Sequence, residues 1–185
     1  MAALLDIMID IESLDVTPNC VILTIGAVAF DPLGAGPTEQ LELRPLIDEQ
    51  SEKYNRTISE DTVRWWSQQS ADAQHESLGD HDRISFTECM DKLHRFCWNR
   101  NRVWSHGATF DIVAMQTAWD MLGKKAPWPY YNARCTRTIF DLAGVSLKDS
   151  GYATKTTHKA VEDAIHQVYV LQAAYQKLKA AGVPV

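Results

Sequence analysis

No apolar run in this chain approaches the ~20 residues that a membrane-crossing helix needs, which excludes a helical membrane span. Its four cysteines (Cys20, Cys89, Cys97 and Cys135) form no Cys-x-x-Cys pair and no zinc-finger spacing. That excludes the common dithiol and structural-zinc classes, and leaves reduced thiols in a cytosolic protein as the simplest account. The opening Met-Ala-Ala-Leu-Leu-Asp has no basic segment and meets an acid too early for a secretory signal. Repeats, low-complexity tracts and composition breaks are absent, so residues 1–185 are expected to form one domain. Positive charge is also in short supply, with 18 Lys and Arg against 24 Asp and Glu, a formal net charge of −6. A general electrostatic nucleic-acid binder is therefore disfavoured, whereas an enzyme that meets phosphates through bound metal is not.

What is present is ordinary in bulk, 45% hydrophobic over 185 residues, enough to bury a real core. The informative stretch lies near the N-terminus. Leu5, Ile7, Ile9 and Ile11 alternate on one face of a predicted strand, Leu4 to Glu12, which puts Asp6, Met8, Asp10 and Glu12 on the other. Two carboxylates at i and i+2 point the same way, about 6–7 Å apart. Like charges about 4 Å apart repel by ~1 kcal/mol in water and ~4 kcal/mol at an effective dielectric of 20. A hard divalent cation such as Mg²⁺ would offset that repulsion. Taken alone, an Asp-x-Glu whose acids simply reach water is the better explanation of the pattern.

Downstream, the apolar run from Val21 to Phe30 predicts a strand buried on both faces, and Glu39 to Arg44 alternates with Leu41 and Leu43 inward. Short connections among these three strands suggest an antiparallel meander. Ser59 is placed to cap a helix carrying Val63, Trp65 and Trp66, and Ser85-Phe86-Thr87-Glu88 fits a capping box. Residues 70–83 read as a polar loop. A short strand at Arg102–Ser105, a helix from Thr109 to Leu122, a fifth strand at Tyr130–Ala133 and a helix over Thr136–Ala143 follow. Leu147 to Thr157 reads as a polar loop before a final helix from about Lys159 to Ala180. Strands first, then strands alternating with helices, predict an α/β protein with a mixed five-stranded sheet flanked by helices.

Three later residues belong beside Asp10 and Glu12. Asp111 opens a helix after a small-residue turn, level with a strand end; a dipole-favoured surface acid is the plain alternative. Asp163 lies in the last helix, five residues after His158. Five helical positions turn through about 140°, so a shared site requires His158 to precede the helix. Singly, His158 is an exposed loop histidine and Asp163 a solvated acid.

Together, Asp10-Ile11-Glu12, Ser105-His106-Gly107-Ala108-Thr109-Phe110-Asp111 and His158-Lys159-Ala160-Val161-Glu162-Asp163 resemble the three motifs of the DEDDh exonucleases. These belong to the proofreading-exonuclease superfamily, with an RNase H-like fold. The tyrosine branch of that superfamily would place Tyr where this chain has Lys159, whereas the histidine branch matches His158. The chain is most similar to short, phage-type 3′–5′ exonucleases and exoribonucleases, which implies the cytoplasm of a bacterial or phage-infected cell. One departure is Asp15, where the family's first motif often has Gly.

The resemblance implies hydrolysis from the 3′ end of single-stranded DNA or RNA, using two Mg²⁺ or Mn²⁺ ions held by Asp10, Glu12, Asp111 and Asp163. It implies His158 as general base, with Ser13 and Leu14 against the terminal ribose and Phe110 beside the last base. Trp65 and Trp66 point about 100° apart on their helix, so one packs inward while the other is free to stack a base; Trp66 is taken as the stacking candidate. Lys148, Lys155 and Lys159 are candidate phosphate contacts. Homodimerisation is left open. Rival expectations are an RNase H-like endonuclease, a non-catalytic binder of nucleic-acid ends, and an ordinary acidic α/β protein.

Overall fold

The computed structural model describes residues 4–149 and 158–184. Its centre is a mixed five-stranded sheet in the order β3-β2-β1-β4-β5, where β1 is Asp6–Ser13, β2 Ile22–Phe30, β3 Pro37–Leu43, β4 Val103–Ser105 and β5 Ala133–Cys135. The first three strands pair antiparallel, and β4 and β5 add in parallel, as the short loops and the later crossovers require. Alternation along β1 sorts its side chains as expected. Three shorter helices, α1 (Ile47–Tyr54), α2 (Glu60–Trp66) and α3 (Ala71–Leu78), precede α4 (Phe86–Cys97) and α5 (Asp111–Met121), and Ile7, Ile9 and Ile11 enter one core under α4 and α5. Met8 enters the other, under α6 (Thr136–Ala143) and α7 (Ala160–Ala180). Every residue of β2 is buried, since both faces are covered.

Two helices were not legible as such, and both bury small or polar side chains. The segment Ile47–Tyr54 is helical, and its buried residue is Gln50. The Gln50 amide accepts from Ile22 N at 2.9 Å and donates to Ile22 O at 2.8 Å, satisfying the strand backbone where a neighbouring strand would otherwise do so. The stretch Ala71–Leu78, expected as loop, is a helix capped by Ser70 that buries only Ala73 and Ser77. Without a large apolar stripe, no 3.6-residue period was visible in either. The fifth strand is also displaced: Tyr130–Asn132 form a single 3-10 turn, and pairing with Val103–Ser105 falls on Ala133–Cys135. The helix capped by Ser59 runs Glu60–Trp66, and that capped by Ser85 runs Phe86–Cys97, close to expectation.

One close approach sets the position of α7. A side-chain carbon on Gly26 would lie 2.3 Å from the carbonyl of Ala160 and the nitrogen of Val161, all backbone atoms. Gly26 pairs across the sheet with Asp10, so the start of α7 is laid directly against the acid-bearing end of β1. Backbone cannot rotate out of the way. We expect Gly26→Ala to lower stability by about 1–3 kcal/mol or more in denaturant titrations; an unchanged midpoint would show that the helix start sits elsewhere.

Candidate active site

Asp10 and Glu12 occupy the same face of β1, at its C-terminal end. Asp6 shares that face but is fully buried, its Oδ2 accepting from the Trp104 indole N–H at 2.7 Å, so it belongs to the core. Asp163, one turn into α7, brings a carboxylate oxygen to Asp10 and Glu12, and the three acids offer ligand atoms all within 4.8 Å of one another. Asp111, the first residue of α5 and buried, adds its charge to the same space. Gly107, at φ +151°, makes the turn that delivers it.

Burial and mutual repulsion make this cluster reluctant to ionise. Burial pushes the Asp10 carboxyl well up, and Asp111, Glu12 and Asp163 push it further. Glu12 is raised to about 8, by burial first and then by Asp163 and Asp111. Asp111 and Asp163 are each raised to about 6, again chiefly by burial. Hard oxygen donors at this density fit hard divalent ions such as Mg²⁺ or Mn²⁺, whose charge would offset the repulsion. Gln167 had not been foreseen. It sits one turn beyond Asp163 on the same face of α7, donates from Nε2 to Asp10 Oδ1 at 2.7 Å, and is itself buried. The i, i+4 spacing from Asp163 was the available signal.

The raised carboxyls set a pH dependence of stability. Their ordinary values are 3.8 for aspartate and 4.5 for glutamate, so between those values and about 6 to 8 the folded chain binds more protons than the unfolded one. The stabilisation is complete below this window and is lost as pH rises through it. In chelator the melting temperature should therefore fall between about pH 5 and pH 8, and less steeply in Glu12→Gln. Equal slopes for the two proteins would remove Glu12 from the cluster.

His158 precedes α7, as its spacing from Asp163 required, in the left-handed conformation at φ +64°. Ser77 Oγ donates to its carbonyl at 3.1 Å, and the adjacent Lys159 reaches Glu76 at 3.5 Å. The imidazole meets Trp65 edge-on at 4.9 Å, and its Nδ1 lies 3.9 Å from Glu12 Oε1. An ionised Glu12 would hold a proton on that ring. Because Glu12 is itself raised, burial dominates instead and pulls His158 below its ordinary 6.5.

Beside the acids runs a groove of about 520 Å³, lined among others by Glu12, Ser13, Thr62, Trp65 and Phe110. Of the substrate-contact candidates, Ser13 and Phe110 line this groove. Two other candidates are buried. Leu14 is packed with Val21, Leu23 and Trp66 in a small core, leaving no edge to wedge between bases. Trp66 is 1% exposed and donates its indole N–H to Ser13 O at 2.9 Å, so the accessible member of the pair is Trp65, 41% exposed. Helical phase relative to the core decided between them. Asp15 is a loop organiser: its carboxylate accepts from Val16 N at 2.7 Å and Thr17 Oγ1 at 3.2 Å. Its backbone is not left-handed, so glycine's freedom is not needed there. Lys159 is occupied by Glu76 and Glu162, Lys148 is exposed, and Lys155 lies outside the described residues. The cysteines are unpaired, and no helix among the described residues is long and apolar enough to cross a membrane.

Comparison with known proteins places this geometry. No curated protein matches the chain in sequence. Escherichia coli exonuclease I, solved in complex with a dT13 oligonucleotide, superposes with TM-score 0.72 at 10% identity, over 96% of this chain and 42% of its own. A zinc-bound form of that enzyme with single-stranded DNA gives TM-score 0.66 at 12% identity, over 97% and 41%. Exonuclease X, solved with 5′-overhanging duplex DNA, gives 0.60 at 13% identity, over 97% and 94%. The chain thus spans about two-fifths of exonuclease I, and the likeness establishes the RNase H-like fold. The family described as the Rv2179c-like 3′–5′ exoribonuclease domain matches residues 5–175. This chain, with its acids gathered at the end of β1, belongs to that family.

Proposed function

We propose that the chain removes nucleotides singly from the 3′ end of a single strand and releases nucleoside 5′-monophosphates. Two divalent ions, Mg²⁺ or Mn²⁺, would be held by Asp10, Glu12, Asp111 and Asp163. RNA is the substrate we propose first, on the family's description. The observation that carries this reading is the meeting of Asp10, Glu12 and Asp163 within 4.8 Å, with His158 3.9 Å from Glu12 and a groove alongside.

When bound, such ions neutralise phosphate charge and make the attacking water more acidic. The chain's own residues do the rest. Asp10, between the other acids and tied to Gln167, fixes the point about which the site assembles. Neutral His158 accepts the proton of the attacking water on a ring nitrogen, and its lowered pKa keeps it competent at neutral pH. Ser13, Thr62 and Phe110 receive the terminal nucleotide, with Trp65 offering an accessible indole for its base.

The test uses 5′-labelled RNA and DNA oligonucleotides with Mg²⁺, Mn²⁺ or chelator. Stepwise shortening from the 3′ end, only with metal and with RNA favoured, is the expected result. Internal fragments would instead indicate an endonuclease, and retention of the oligonucleotide without cleavage an end-binding protein.

A further inference from the structure

A second groove, also of about 520 Å³, lies against the same turn. Its lining includes His106, Arg137, Phe140, Val145, Leu147 and Lys148. Phe110 lines the first groove and His106 the second, both from the segment that joins β4 to Asp111. Arg137 reaches back toward the acids: the point where a Gly107 side chain would start is 3.4 Å from Asp111 Oδ2 and 3.8 Å from Arg137 Nη1. The second groove therefore begins beside the acid cluster.

The two grooves differ in charge. Among the described residues no lysine or arginine lines the first, which carries Glu12 and Asp61 among hydroxyls and aromatic rings. The second carries Arg137 and Lys148 over an apolar floor of Phe140, Val145 and Leu147, with Asp141 the acid in its wall. Arg44, Arg64 and Arg100 each pair with a carboxylate; exposed Arg137, like exposed Arg95, makes no ion pair among the described residues, but Arg137 lines this groove. In a chain of net charge −6, an exposed guanidinium whose charge Asp111 feels but which is locked to no carboxylate is placed to meet a phosphate beside the acids.

We propose that this groove seats the second nucleotide from the 3′ end, with Arg137 and Lys148 holding the phosphate on its 5′ side. The assignment rests on the exonuclease reading and deepens it. The terminal nucleotide lies in the acidic, hydroxyl-rich groove, the scissile phosphate lies over the acids, and the next phosphate meets the cations. Grip on that phosphate is what a longer strand has and a single nucleotide lacks.

The discriminating experiment compares a single-stranded RNA oligonucleotide with the 4-nitrophenyl ester of a nucleoside 5′-monophosphate, which has no upstream phosphate. Arg137→Gln should raise KM for the oligonucleotide so that its loss exceeds the loss on the ester by about tenfold. Arg137→Lys should recover part of it. Arg137→Gln combined with Lys148→Gln should lose more, and the salt dependence of oligonucleotide binding should flatten by about 0.7 in log–log slope per charge removed. Wild type that hydrolyses both substrates, with Arg137→Gln affecting both alike or neither, overturns this assignment alone. Wild type that hydrolyses neither overturns the exonuclease reading and the assignment together.

Discussion

Asp10→Asn is expected to abolish hydrolysis and yet to melt no lower than the parent chain, and in chelator to melt higher than it once the pH is high enough to ionise the Asp10 carboxyl. The reason is that the Asp10 carboxylate is opposed by burial and by three other acids at once. Asparagine keeps the shape and can keep accepting from Gln167 Nε2, while carrying no charge. In the absence of divalent ions the substitution therefore relieves repulsion. Added Mn²⁺ should reverse the order, because a ligand that binds only the folded state stabilises it by mass action, and the variant has lost a central donor. Calorimetric melting with and without Mn²⁺, run beside the nuclease assay, reads both effects. Metal-dependent activity near the parent's would count decisively against Asp10 as the organising ligand.

For His158→Ala the expected loss is roughly 10²–10⁴-fold in turnover, the range for removing a positioned general base. The structure holds this side chain in place from several sides. Ser77 fixes its carbonyl, Trp65 and Trp66 present ring edges to it, and its left-handed backbone persists against a strain of ~1–3 kcal/mol. Such a geometry is held by its surroundings, so alanine should leave the loop path intact and remove only the imidazole. Because burial keeps the ring neutral at and below its ordinary 6.5, the parent's activity should fall on the acid side only as that lowered pKa is crossed. The acid limb should flatten in His158→Ala. A near-silent substitution would remove His158 as the base.

Much of the candidate site was readable because each part is local. The alternation of Leu5, Ile7, Ile9 and Ile11 places Asp10 and Glu12 on one face whatever the rest of the chain does. Ser59 and Ser85 announce their helices through a bond formed three residues away. The separation of His158 from Asp163 already required the histidine to stand ahead of the helix, and it does. The helices Ile47–Tyr54 and Ala71–Leu78 escaped the same logic because they bury Gln50, Ala73 and Ser77, residues without a hydrophobic signature. The second of them matters to the site nonetheless, since its Ser77 and Glu76 hold the His158–Lys159 step.

By itself the sequence determined the strand that carries the first two acids, the helix starts, and the order in which the remaining acids follow; these depend on backbone periodicity and bonds a few residues long. Only the tertiary structure decided that Trp66 goes to the core while Trp65 faces the groove, that Leu14 is packed away, that Gln167 steadies Asp10, and that Arg137 stands beside Asp111. Each of those outcomes depends on how a helix is rotated and translated against the sheet. That placement is set by close approaches such as Gly26 against Ala160, between residues far apart along the chain, which no local pattern encodes.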